Sequence, residues 1–204
     1  MTIESPAVSL YGPPASGKDT ITRALGDISP AYRLFPRLKC GAGRTAGYRV
    51  ITAAELQRLR DDRLVIYEND RYGSIYAVDR PQLDMMLGEA MIPVVHIGQV
   101  QAITALRRYP AGWLTVLLWC SRTASATRLR NRADSDVEAR LQAWSQTADD
   151  LLAAPGTAFD MVFRTDQWAP RSIATAIHQG LSSPTAIRQP IEVDLADLRA
   201  ETER

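Results

Sequence analysis

The sequence predicts an α/β protein, with a parallel sheet covered by helices on both faces and one small inserted subdomain. Three observations predict it. Apolar runs at 7–11, 91–97, 114–120 and 159–164 have the length and near-continuous hydrophobicity of strands buried on both faces. Helical periodicity at 81–88, 99–108, 123–131, 136–153 and 171–179 lies between and after them, so strands and helices alternate as in right-handed βαβ units. The first strand stops at a glycine-proline turn that opens a helix over 17–25, ending near Gly26.

The segment 33–78 breaks this rhythm. It is richer in Arg, Gly and Tyr, and holds strand-like pieces at 48–52, 64–68 and 72–78 around one helix at 53–60. The chain therefore divides into a core of 1–32 and 79–181, an insertion of 33–78, and a polar tail of 182–204.

Composition narrows the function classes. With 204 residues, 46% of them hydrophobic, the chain is long enough to bury a core without disulfide or metal staples. Lys+Arg 24 against Asp+Glu 23 argues against a non-specific nucleic-acid binder or a polybasic membrane anchor. No apolar run approaches the roughly 18 residues of a membrane span, and the opening MTIESPAVSL shows no basic stretch followed by an apolar block. Cys40 and Cys120 form no CxxC or Cys/His metal pattern. The expectation is a reduced, cytoplasmic, enzyme-sized domain with no nucleic-acid or membrane partner. Of the 24 basic residues only Lys18 and Lys39 are lysines, which invites a chemical reason for each.

Gly12-Pro13-Pro14-Ala15-Ser16-Gly17-Lys18 fits the phosphate-loop pattern G-x-x-x-x-G-K, between a predicted strand and a predicted helix. Such a loop curls so that its N–H groups point at phosphate oxygens, the helix N-terminus adds partial positive charge, and the lysine reaches the β- and γ-phosphates. The plainer alternative is an ordinary Gly/Pro strand-to-helix turn. The candidate nucleotide-binding residues are Gly12, Pro13, Ala15, Ser16, Gly17, Lys18, Asp19 and Thr20. Asp19 stands where such loops carry Ser or Thr, whose hydroxyl binds Mg²⁺. It has two readings: a ligand of Mg²⁺, direct or through water, or a first-turn acid favoured by the helix dipole.

The loop and the chain beyond it resemble the guanylate kinase-like family of nucleoside-monophosphate kinases. GPPASGKDT is similar to that family's G-P-S-G-S-G-K-S/D-T/S. The stretch from Gly43 to Leu56 resembles G-E-x-x-G-x-D-Y-x-F-V-x-x-x-E-F, two residues shorter, and Asp70-Arg71-Tyr72-Gly73-Ser74 resembles N-Y-Y-G-T/S. Arg128-Leu129-Arg130-Asn131-Arg132 with Arg140-Leu141 resembles the R-L-x-x-R…R-L lid, and Phe159-Asp160-Met161-Val162 resembles Y-D-Y-V.

The resemblance implies a P-loop kinase: a five-stranded parallel core sheet, an acceptor-binding insertion and a lid near 130–140, with ATP as donor, Mg²⁺, and a small phosphorylated acceptor. By position, Tyr48 and Tyr72 would hydrogen-bond the acceptor phosphate and Ser74 would sit near its base or sugar. Their alternative is a place in the small sheet. Arg37 and Lys39 lie near the family's phosphate-clamping arginines, and are otherwise loop charges. Arg132 and Arg140 flank a short polar loop, where a closing lid would bring guanidinium groups to the charge spread over a transferring phosphoryl. A solvated helix face is the alternative. His96 and Cys120 read as core residues.

Three departures bear on the acceptor. Arg44 occupies the place of the guanine-reading glutamate, His96-Ile97-Gly98 replaces a D-x-D element, and Glu68 stands in for the remaining acid. The ribose 1,5-bisphosphate phosphokinase branch is similar in carrying Asp after the loop lysine and lacking those acids. Guanylate kinase proper, a non-catalytic binding module and a nucleotide-hydrolysing switch are the alternatives.

Overall fold

The computed structural model describes residues 5–43, 45–131, 136–154, 157 and 159–182. In chain order these form β1 (Pro6–Tyr11), α1 (Lys18–Ile28), β2 (Tyr32–Leu34), β3 (Leu38–Cys40), β4 (Arg49–Val50), α2 (Ala53–Asp61), β5 (Val65–Arg71), β6 (Ser74–Asp79), α3 (Arg80–Gly88), β7 (Ile92–Ile97), α4 (Val100–Arg107), β8 (Gly112–Trp119), α5 (Arg122–Asn131), α6 (Val137–Ala153), β9 (Met161–Arg164) and α7 (Pro170–Ser182). Five strands make one sheet in the order β2-β7-β1-β8-β9, and every neighbouring pair is parallel. The expected α/β class and five-stranded core sheet are both present.

β1 lies at the centre, with Val8 in register with Val94 of β7 and Leu114 of β8. Its side chains alternate between two packed layers. Ala7 and Tyr11 join Trp144 of α6 and Phe159, while Val8 and Leu10 join Ile21 and Leu25 of α1 and Ile173 and Ile177 of α7. Burial of both faces explains why the strand reads as an apolar run. Its one polar member, Ser9, is buried with its hydroxyl donating to Thr115 Oγ1 at 3.1 Å. The chain builds β2 and β7 on one side of β1, then crosses to place β8 and β9 on the other. The carboxyl end of β1 is thus a topological switch point, where open α/β sheets bind ligands.

A second sheet has the order β4-β3-β6-β5 and its own small core of Leu38, Leu56 and Ala77. β3 and β4 run parallel and the other pairs antiparallel. Thr52 and Glu55 form a capping box that starts α2. The β5–β6 hairpin turns through Tyr72-Gly73, with φ of 57 and 65. Two positive φ values are what a two-residue hairpin turn requires, and Tyr is an uncommon residue to meet that demand.

Four elements differ from expectation. The three-residue strands β2 and β3 carry too few residues for a period to be visible, and β2 draws residues 33 and 34 into the core sheet. The strand expected at 48–52 contracts to β4. α1 continues through Gly26 and stops where Ser29 turns extended, at φ −149; a glycine ends a helix when it takes the left-handed conformation, and Gly26 does not. Arg44, Arg132 and residues 183–204 of the tail lie outside the described residues. Among the described residues no helix is long and apolar enough to cross a membrane.

Candidate active site

The turn after β1 is shaped by close approach. Gly12 packs so tightly that a Cβ there would lie 2.2 Å from the Leu118 carbonyl oxygen and 2.7 Å from Ser16 Oγ. Gly17, with φ 94, is the N-cap of α1 and points the first helical N–H groups at the loop's hollow. Arg128 of α5 braces the loop from outside, donating to the Ala15 carbonyl at 3.0 Å and to the Thr165 carbonyl at 2.7 Å. Ser125 donates to the Pro14 carbonyl at 2.9 Å.

The Lys18 ammonium is folded onto this loop, donating to the carbonyls of Gly12 at 2.6 Å and Pro13 at 2.8 Å. Burial brings its pKa down to about 7, opposed by Asp19 and reinforced by the charges of Arg71 and Arg37. Its neighbour His96, at the end of β7, is held down to about 3 by burial and then by the Lys18 charge, so the ring is neutral.

Proton counting sets the tautomer of His96. Thr22 Oγ1 lies 2.9 Å from the Lys18 carbonyl, which can only accept, so the single hydroxyl proton goes there. The contact of 2.7 Å between Thr22 Oγ1 and His96 Nε2 must then be donated by the ring. That leaves Nδ1 as a bare lone pair, 3.7 Å from the Asp19 carboxylate. Two acceptors facing each other at the mouth of a phosphate loop suit a divalent cation. Among the described residues no cluster of three or more His, Cys, Asp or Glu side chains could cage a metal by itself. A metal held by one or two protein groups plus phosphate oxygens is the usual arrangement for Mg²⁺.

A cleft of about 510 Å³ opens from the phosphate loop towards the second sheet. On its far wall the Arg37 guanidinium lies 5.2 Å from the centre of the Tyr76 ring and 5.9 Å from that of Tyr48. The exposed Tyr72 ring has Arg71 on one contact, at 6.0 Å, and Arg140 of α6 on another, at 5.9 Å. The structure therefore brings Gly12, Ala15, Ser16, Gly17, Lys18 and Asp19 to one cleft with Arg37, Tyr48, Tyr72 and Arg140. Asp19 is the only carboxylate among the described residues of its lining.

Other expected site residues lie elsewhere. Pro13 offers its carbonyl to Lys18, and Thr20 sits in the first turn of α1 without lining the cleft. Lys39 and Ser74 are both buried, and both donate to the Ala42 carbonyl, Ser74 at 3.1 Å. They hold the loop that leads to residue 44. Glu68 is turned away and forms a two-pronged pair with Arg60, with N–O distances of 2.9 Å. The reason is strand alternation: on β5 it is Asn69 and Arg71 that line the cleft, so Glu68 faces the opposite side. Asn69, Arg71, Tyr76, His96 and Gln99 complete the site without having been singled out for it. No local signal picked out Arg71 and Asn69, because their aim depends on the register of β5 against β6.

The fold and loop together define a P-loop kinase fold. A guanylate kinase from Anaplasma phagocytophilum is similar in structure, with a TM-score of 0.62 at 17% identity, covering 97% of this chain and 95% of that one. A shikimate kinase from Acinetobacter baumannii in complex with shikimate matches with a TM-score of 0.48 at 16% identity, over 91% of this chain and 96% of that one. The YorR protein from Bacillus subtilis in complex with phosphorylated GDP matches with a TM-score of 0.46 at 13% identity, over 87% of this chain and 97% of that one. No protein-family model matches the chain, and no curated protein matches it by sequence.

Proposed function

We propose that this chain is an ATP-dependent phosphotransferase whose acceptor is a small, phosphate-bearing molecule without guanine. The observation that carries the proposal is one cleft with a phosphate loop on one wall and Arg37, Tyr48, Tyr72 and Arg140 on the other. The loop's N–H groups and Lys18 would hold the ATP phosphates. Arg37, stacked on two tyrosine rings, would hold the acceptor's existing phosphate, and Arg140 would approach the transferring group from the lid helix. An oxygen of the acceptor phosphate attacks the γ-phosphorus while the bond to the β–γ bridging oxygen breaks, and ADP leaves. Asp19, with His96 beside it, would hold Mg²⁺, which when bound neutralises charge on the β- and γ-oxygens.

Guanine is disfavoured by hydrogen-bond chemistry. Its N1–H and amino donors need acceptors, and Glu68 is committed to Arg60 outside the cleft. Leaving such a donor unpaired costs about 1–3 kcal/mol. A nucleotide with another base, or a sugar bisphosphate of the ribose 1,5-bisphosphate type, meets the cationic wall better. The test is ADP release from ATP with GMP, dGMP, other nucleoside monophosphates and ribose 1,5-bisphosphate offered in turn. ADP is expected only with an acceptor present, and less with GMP than with the preferred one. Phosphate release without any acceptor would mark a nucleotide-hydrolysing switch instead.

A further inference from the structure

Arg71 is the last residue of β5, paired in register with Ser74 across the Tyr72-Gly73 turn. Its side chain leaves the second sheet and crosses to the core. Nη2 lies 3.4 Å from the Ala143 carbonyl and 3.5 Å from Thr147 Oγ1, both on α6. Nη1 packs on Gly98, just past β7, where a Cβ would come within 3.0 Å of it. The same point beside Gly98 is 3.9 Å from the Gly12 carbonyl, which Lys18 also touches. The guanidinium thus sits on the floor of the cleft where β1 and β7 end, beside the phosphate loop and 6.0 Å from the centre of the Tyr72 ring.

Its bonding there is incomplete. Both hydrogen bonds are near the long limit of the interaction, and a guanidinium carries more donors than these two contacts use. Arg71 makes no ion pair with any described residue. The Asp150 carboxylate receives the Val100 N–H at 2.6 Å and the Tyr11 hydroxyl at 3.2 Å, both on Oδ2, and forms no ion pair with Arg71. Arg71 and Lys18 are therefore like charges lining one cleft, a repulsion that helps depress the Lys18 pKa. An anion between them turns that repulsion into two attractions.

We propose that Arg71 is a catalytic residue that binds the γ-phosphoryl group of ATP from the side opposite Lys18. The inference rests on the phosphotransferase reading above and assigns a second cation to the transferring group. Arg71 differs in kind from Arg140, because it comes from the hairpin and is already beside the phosphate loop, without any lid movement. As the γ-phosphorus leaves the β–γ bridging oxygen for an oxygen of the acceptor phosphate, Arg71 would stabilise the negative charge on the equatorial oxygens. The space at Gly98 is narrow: a Cβ there would lie 3.0 Å from Nη1, so the guanidinium would have to give by a few tenths of an ångström.

The test compares ADP with the non-transferable analogue AMPPNP, each with Mg²⁺, by isothermal titration calorimetry on the full chain. In Arg71→Gln, AMPPNP affinity should fall about ten- to hundredfold while ADP affinity stays within about twofold. Arg71→Lys should recover part of the loss, and the melting temperature of both free variants should match the native protein. Equal affinities of native and Arg71→Gln protein for AMPPNP, with ADP binding intact, would overturn the assignment and leave the phosphotransferase reading standing. ADP and AMPPNP weakened equally would make Arg71 a general brace of the loop and also overturn it. If the native protein binds neither nucleotide, the phosphotransferase reading itself falls, and this assignment with it.

Discussion

Lys18 donates to the Gly12 carbonyl at 2.6 Å, so the cation that the phosphate loop supplies is held by the first residue of the same loop. A lysine in that position has exchanged water for backbone carbonyls, and burial lowers its pKa to about 7. Phosphate oxygens would offer it a full counter-charge and restore the protonated form.

Nucleotide binding is therefore linked to protons. The ordinary lysine value is about 10.4, and in the free fold Lys18 titrates at about 7. Above pH 7 the free protein has lost this proton while a nucleotide complex keeps it, so binding takes up protons. ATP affinity should therefore fall as pH rises from 7 towards 9. Calorimetry in buffers of different ionisation heat should read proton uptake in the native protein and none through this group in Lys18→Met. The same shift has the opposite sign for folding without ligand. The unfolded chain binds the proton more tightly, so this group costs stability in full below about pH 7, and the cost is relieved as pH rises from about 7 towards about 10.4.

Gly12→Ala should cost both stability and nucleotide binding. The added Cβ would meet backbone, the Leu118 carbonyl at 2.2 Å, which cannot rotate away as a side chain could. Overpacking of this kind costs about 1–3 kcal/mol. Urea unfolding should show the midpoint falling with an unchanged slope. An unaltered midpoint would mean that the loop has room that the present geometry denies it.

Arg140→Ala addresses the lid. The guanidinium lies 5.9 Å from the centre of the Tyr72 ring in the cleft that Lys18 also lines, and in the proposed reaction it would meet the transferring group rather than the resting nucleotide. The loss should appear in kcat, by about a hundredfold, with ATP affinity measured without acceptor little changed. Weakened ATP binding with kcat untouched would make Arg140 a ground-state contact.

Much of the fold was legible because its signals are local. The apolar run of β1 and the Gly12–Lys18 spacing are each contained within a few residues. β2 is a strand only because Tyr32 and Leu34 pair with Ile92 and Val94, far along the chain. The site divides in the same way. That Lys18 and Asp19 would line the cleft was legible from the loop alone. Glu68 and Asn69 could not be told apart, since which one faces the cleft depends on the register of β5 against β6. His96 was read as a core histidine, and it is hydrogen-bonded to Thr22 as such; its second nitrogen reaches the cleft only because α1 packs over the end of β7.

In the proposed reaction Lys18 and its loop bind and activate a transferable phosphoryl group. The most direct test is acceptor-dependent ADP release by Lys18→Ala, using whichever acceptor supports the fastest native turnover. A fall in kcat of about a hundredfold or more is expected, in a variant whose far-ultraviolet circular dichroism and melting temperature show the fold retained. Turnover close to the native rate in that folded variant would contradict it.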